Sequence, residues 1–212
     1  MPTSRSYQDA CGIARALDVV GERWALPIVR ELLFGPQRFS DLRQALPGAS
    51  SNMVADRLRE LVGHGVVSRR RLVPPAASQV YELTEWGREL EPIVLALGEW
   101  GIRAPMPAGR ATLSAVSVLI YLRAAARPDP RAAPATYRLD MDARVWTIRT
   151  RSGAVHVESG EPADPVATLR TTPTTLNALL ANPSLLDSSD AEISGDRRAL
   201  HRLLRAVSTP AR

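Results

Sequence analysis

The hydrophobic period changes once in the first hundred residues, and that change limits the folds open to the chain. Up to Gly63 the apolar residues recur every three to four positions. After Gly63-His64-Gly65 they alternate, through "VVSRRRLV" and "QVYEL", before helical spacing returns at Glu85. Helices, then a hairpin, then a helix is the order expected of a winged helix-turn-helix.

The helical part divides at its punctuation. From Asp9 to about Gly21, Ile13, Leu17 and Val20 share one side, and "ERWALPIVRELLF" places Trp24, Ile28, Leu32 and Leu33 on one side. Pro27 falls in the first turns of that second helix, where a missing N–H does least harm, and Gly35-Pro36 ends it. "RF" is long enough only for a strand fragment. Ser40 is positioned to cap a third helix, "DLRQAL", which stops at Pro47-Gly48, and Ser50 to cap a fourth, "SNMVADRLREL". On the fourth, Val54, Leu58, Leu61 and Val62 form the apolar stripe, while Asn52, Ala55, Asp56 and Arg59 point away from it. Thr84 caps a long closing helix, "EWGRELEPIVLALGEWG", with Leu90, Ile93, Val94, Leu97 and Trp100 on one side. The hairpin strands are joined by "PPAAS".

In such a fold the second helix of the turn enters the major groove of duplex DNA by its N-terminal end. Its first turn here carries Ser51, Asn52 and Met53. An amide can pair with adenine, a methionine can touch a thymine methyl, and Ser50, Ser51 and the free amides of a helix start can hold a phosphate. Ser40 and Arg43 on the preceding helix, Arg57 on the fourth, and Arg69 and Arg71 on the first strand are candidates for backbone contacts. Singly, these residues serve equally well as caps and solvated charge. Residues 38 to 71 hold seven arginines against Asp41, Asp56 and Glu60, an excess of four positive charges. The whole chain has 27 basic residues, all arginine, and a pI near 10.3. That balance suits a polyanionic partner, although the absence of lysine is also what a GC-rich genome produces.

The blocks "CGIARALDVVGERWALPIVRELLFGPQRFSDLRQALPG", "SSNMVADRLRELVGHGVVSRR" and "YELTEWGREL" resemble the HxlR-type transcriptional regulators, a winged-helix family related to the MarR type. The resemblance runs from Cys11 to Trp100. It implies a homodimer on an inverted repeat of double-stranded DNA, with the helices containing Leu17 and Trp100 packed against the partner. Two departures stand out: the wing tip lacks the basic residue many members carry, and Gly12 replaces a proline. Some relatives use a cysteine at the place of Cys11 to sense oxidants or electrophiles, with Arg15 one turn on. A small side chain buried at the dimer seam is the other reading of Cys11.

Pro105, Pro107 and Gly109 mark a linker, giving a winged DNA-binding and dimerisation domain over residues 1–104 and a second domain over 111–212. In the second, "LSAVSVLIYLRAAA" is apolar nearly all round, so it is covered on more than one side. "ARPDPRAAPA" is a loop. "TYRLDM", "RVWTIRT", "AVHVES" and "VATLRT" are short strands, parted by Asp142, Ser152-Gly153 and a Gly160-Pro162 turn. Thr172-Pro173 opens the helix "TTLNALLAN", and "AEISGD" leads to a terminal helix with Leu200, Leu203, Leu204 and Val207 on one side. The whole chain is therefore α+β, and its second domain is a small antiparallel sheet covered by helices. From about residue 111 to 207 the pattern is similar to the sterol-carrier-protein type 2-like fold. That likeness implies an apolar tunnel able to take a small apolar effector, lined by Leu119, Ile120, Trp146, Ile148, Leu176, Leu180 and Leu203. Each of these also fits a plain core position.

Catalysis has little to stand on. Cys11 is the only cysteine, His64, His156 and His201 lie in separate elements, and no glycine-rich phosphate loop is present. No metal or cofactor is expected. No segment has the roughly 18 apolar residues of a membrane helix, and the N-terminus lacks a leader pattern, so a cytoplasmic protein is expected. The reading is a ligand-responsive dimeric repressor. Its rivals are a small-molecule or lipid carrier whose winged domain only dimerises, and a redox sensor acting through Cys11.

Overall fold

The computed structural model describes residues 6–72, 78–107 and 112–207, and the chain divides into two compact units at Ala104–Pro105. The first contains α1 (Gly12–Val20), α2 (Ala25–Leu32), β1 (Gln37–Arg38), α3 (Phe39–Ala45), α4 (Ser51–Gly63), β2 (Val67–Arg71), β3 (Gln79–Leu83), α5 (Glu85–Arg88) and α6 (Glu91–Gly101). The strands form one antiparallel sheet in the order β1-β3-β2. This is a winged helix-turn-helix, with α3 and α4 as the turn's two helices. The expected wing tip falls, except for Ser78, outside the described residues.

One core holds the unit together: Ile28, Val29 and Leu32 of α2, Leu42 of α3, Val54, Leu58 and Leu61 of α4, and Val66, Val67 and Leu83 around the hairpin. Three local expectations change. Ser40 does not cap α3; Arg38 occupies that place, and its amide donates to the Asp41 carboxylate at 3.2 Å. Asp41, three residues in, reaches the free amide better than a serine inside the first turn. The single closing helix is two, because Pro92 has no N–H to give the Arg88 carbonyl, so α5 ends there and a new helix starts at Glu91. Val62 is 37% exposed rather than part of the stripe, which is one residue narrower than the spacing suggested.

α6 buries no residue at all: Leu90 and Val94 lean on the core, while Ile93, Leu97 and Trp100 are exposed. On α1, Ile13 and Leu17 are also exposed, and only Ala14 and Val20 are buried.

The second unit contains α7 (Ala115–Ala125), β4 (Ala135–Met141), β5 (Arg144–Arg151), β6 (Ala154–Ser159), β7 (Ala167–Arg170), α8 (Pro173–Ala181), a 3-10 turn over Pro183–Asp187, β8 (Glu192–Gly195) and α9 (Arg197–Arg205). Two tight turns carry positive φ where the period-two pattern breaks, at Asp142-Ala143 and Ser152-Gly153, as the right-handed twist of hairpins demands. The five strands lie in the order β6-β5-β4-β7-β8. Three of the four ladders are antiparallel as expected. The fourth, β4 with β7, is parallel, because residues 160–166 cross back over the sheet before β7 begins. Tyr137, Leu139, Trp146, Ile148 and Leu169 share the face covered by α7, α8 and α9, and all are buried. The opposite face is polar, with ion pairs such as Arg138 to Asp140 at 2.8 Å.

Strand β8 replaces the simple lead-in expected at "AEISGD". Only Ile193 of its four residues is even partly buried, so no alternation was visible. Gly195 ends it at φ 83, where a Cβ would sit 2.5 Å from the Val166 carbonyl oxygen.

Candidate nucleic-acid interface

Helix α4 is positioned from behind. Val54 and Leu58 are almost wholly buried, and Leu61 follows one turn on, so the opposite side of the helix must face outward. Ser50 caps its start, its hydroxyl accepting the Met53 amide at 3.2 Å. Ser51, Asn52 and Met53 are all exposed, Met53 by 40%. The remaining amides of the first turn and the positive end of the helix dipole project beside them.

The turn leading into α4 is fixed from two sides. The Arg43 guanidinium donates to the Ala49 carbonyl across the turn, and the Ala49 amide donates to Leu46 at 3.0 Å. From the α1–α2 connection, the Trp24 ring lies against Gly48, where an added Cβ would meet it at 3.0 Å. Trp24 itself sits at φ 78, a left-handed conformation rare for so large a residue. Two residues before it, Glu22 lies 3.8 Å from Arg57, which also pairs with Glu60. The same short connection therefore touches both the turn and the outward helix.

These contacts sort the arginines. Arg57 is half-buried and committed to two carboxylates, and Arg43 is half-buried against the chain's own carbonyl, so both position the interface. Arg59 pairs with Asp56, and Arg70 with Glu82 at 2.7 Å, which offsets part of the local charge excess. Such exposed pairs exchange readily for another anion. Arg38, Arg69 and Arg71 are exposed; Arg69 touches the neutral side chain of Gln79. Arg38 lies on β1 beside the turn helix; the sequence showed it as part of the local charge excess and of the strand fragment, but not as a candidate contact. Ser40 is exposed and donates to Asp41 at 3.1 Å.

Cys11 is exposed at the start of α1, its amide donating to Asp9 at 2.9 Å. It is not buried within its own unit. Among the described residues, no group of three His, Cys, Asp or Glu side chains could hold a metal ion, and no helix is long and apolar enough to cross a membrane.

The second unit encloses an apolar cavity of about 20 Å³ between the sheet and α7, α8 and α9. Of the expected lining residues, Ile148, Leu176 and Leu203 reach it. Leu119, Trp146 and Leu180 are buried but lie elsewhere in the core, and Ile120 is half-exposed. Tyr137 and Leu139 also line it, beyond the expected set, since a strand's alternation shows which residues face inward but not where packing leaves a gap. The Tyr137 hydroxyl donates to Ala199 at 3.3 Å, and burial pushes its phenol above the ordinary range.

Residues 19–108 match the model of the HxlR-like helix-turn-helix family. The chain is 38% identical over 96 residues to the uncharacterised HTH-type transcriptional regulator YybR of Bacillus subtilis (strain 168), covering 44% of this chain and 75% of that one. It is 39% identical over 87 residues to YvaP of the same organism, also an uncharacterised HTH-type transcriptional regulator, covering 41% of this chain and 80% of the relative. Among solved structures, the oxidised redox regulator HypR is 35% identical over 46% of this chain and 100% of its own, with a TM-score of 0.43.

Replacing Ser50 by alanine removes the cap of α4 and should lower stability to urea by about 1 kcal/mol, whereas Ser50→Asp should keep it. Equal losses in both variants would show that the cap does not hold this helix start.

Proposed function

Because the chain belongs to the HxlR-like helix-turn-helix family of transcriptional regulators, we propose that it is a dimeric repressor which reads an inverted repeat with the first turn of α4. The observation that carries this reading is the exposed Ser51-Asn52-Met53 tip on a helix whose opposite side is locked into the core. Asn52 pairs with an adenine edge and Met53 packs on a thymine methyl. Ser50, Ser51, Ser40, Arg69 and Arg71 hold phosphates, and Arg43 and Arg57 keep the helix in register from inside. Two such helices sit in successive major grooves, about 34 Å apart.

Exposed apolar surface supports the dimer. Ile13 at 73%, Ile93 at 55%, Leu97 at 46% and Trp100 at 67% lie on α1 and α6, too much apolar surface for helices that end at water. A second copy covering these residues fixes the spacing of the two reading helices.

The second unit is the effector domain in this reading, a sterol-carrier-like layer of helices over a sheet. Its cavity holds about one water-sized molecule, far below the roughly 300 Å³ or more of a ligand pocket. An apolar effector therefore enters by spreading α8 and α9 from the sheet, and its unequal affinity for the two states changes the dimer's grip on DNA. Exposure of Cys11 favours one further reading, a thiol switch at the dimer helix. Cys11→Ser would abolish a response to oxidants under that reading and leave a response to apolar ligands intact under the first.

Sequencing the genomic fragments retained by the purified protein tests the assignment. A shared inverted repeat with half-sites one helical turn apart is expected, and no DNA retained at moderate salt would favour a carrier whose winged domain only dimerises. Trp100→Glu should yield monomers by sedimentation and weaken operator binding by about 100-fold or more, since each half-site then binds without avidity. A dimer that persists would place the interface elsewhere.

A further inference from the structure

Around α4 residues 38 to 71 carry an excess of four positive charges, but the rest of the winged unit is acidic and cancels most of it. Residues 1–104 hold 13 arginines against 12 carboxylates, whereas residues 105–212 hold 14 against 10. Most of the net charge of +5 therefore belongs to the second unit.

Part of it is displayed on one element. Helix α9 buries Ala199, Leu200, Leu203 and Leu204, and its opposite side carries Arg198, Arg202 and Arg205, all exposed. Their spacing of four and three residues sets them in one row. The carboxylates nearby account for little of this charge. Asp187 is taken by Arg197, which lies beside the row, and Asp196 stands 3.6 Å from Arg202. Asp196 is also the cap of the helix, accepting the Ala199 amide at 3.0 Å. Arg198 and Arg205 have no acidic partner among the described residues.

Helix stability does not explain the row. Arg205 in the last turn suits the helix dipole, but Arg198 in the first turn opposes it. A cation in the first turn gains nothing from the dipole, so helix stability gives no reason for Arg198 to be there. From Arg198 to Arg205 the helix rises about 10.5 Å at 1.5 Å per residue, long enough to span more than one phosphate of a duplex that carries a charge per roughly 3.4 Å of axis on each strand. Guanidinium groups suit phosphate oxygens through two parallel hydrogen bonds.

We propose that the Arg198–Arg202–Arg205 face of α9 binds the phosphodiester backbone of duplex DNA, so that the second unit adds sequence-independent affinity to the site read by α4. This rests on the DNA-binding reading above.

The test is the salt dependence of DNA binding by the full-length protein and by the triple variant R198Q/R202Q/R205Q, on operator and on random duplex. Removing one arginine–phosphate pair should lower the slope of log K against log salt by about 0.9. The triple variant should therefore lose about 2 or more from the slope, and about tenfold or more in affinity near 150 mM salt. Operator and random DNA should lose affinity alike, because phosphate contacts carry no sequence information. Arg197→Gln, which removes the arginine already paired with Asp187, should change the slope by less than any of the three. A slope unchanged within about 0.5 would overturn the proposal, as would a triple variant that instead loses binding to phosphatidylglycerol vesicles or to an acidic protein. If the triple variant does not fold by circular dichroism, Arg198→Gln and Arg205→Gln singly carry the same test, each with a slope change of about 0.9 or more expected. Wild-type protein that binds no duplex would sink both this proposal and the reading it rests on; wild-type binding with an unaltered variant slope sinks this one alone.

Discussion

The packing of Val54, Leu58 and Leu61 against α2 and the hairpin decides the rest of the first unit. Those side chains leave α4 one orientation, and in that orientation its first turn points to solvent with an amide, a hydroxyl and a thioether side by side. A helix held by a thinner apolar seam would roll, and a rotation of one residue's worth, about 100°, would carry Asn52 off the exposed face. The turn before it is braced independently by Arg43 on the Ala49 carbonyl and by Trp24 on Gly48. Under the proposed reading, specific recognition needs this stiffness more than it needs charge, since Ser51, Asn52 and Met53 are neutral.

Charge and recognition are accordingly separated. In the winged unit most of the arginines near the turn are answered by the protein itself, through Glu60, Asp56, Glu82 or a backbone carbonyl. Arg38 on β1 and Arg69 and Arg71 on β2 are exposed. In the proposed dimer, the apolar residues exposed on α1 and α6 are what would fix the distance between two α4 helices. The second unit contributes an apolar core between its sheet and helices, with a cavity of about 20 Å³.

Most of this was legible in the sequence, for physical reasons that can be named. The change from helical spacing to alternation at Gly63 marked the helix-turn-helix and its wing, and Ser50, Thr84 and Thr172 announced their helices because each is a hydroxyl residue just ahead of a segment whose apolar residues recur at helical spacing. The second unit's four longer strands were visible because both of their faces differ in polarity. What escaped depended on contacts between distant residues. Pro92 divides a helix whose apolar period runs on unbroken, β8 is too short to alternate, and the parallel β4–β7 ladder follows from a crossover that no local pattern encodes. Within the candidate interface the residue types were legible and their partners were not. Arg57 has the sequence position of a phosphate ligand, yet Glu22, thirty-five positions earlier, lies beside it.

The central claim is that Asn52 touches an adenine edge in the major groove. Operator DNA carrying 7-deazaadenine removes the N7 acceptor without altering pairing, and its affinity can be compared for wild-type protein and Asn52→Ala. If the contact exists, the modified base at one position in each half-site weakens wild-type binding by roughly 1–3 kcal/mol and leaves the variant nearly indifferent. Equal sensitivity of the two proteins at every adenine, or none in either, would contradict the claim.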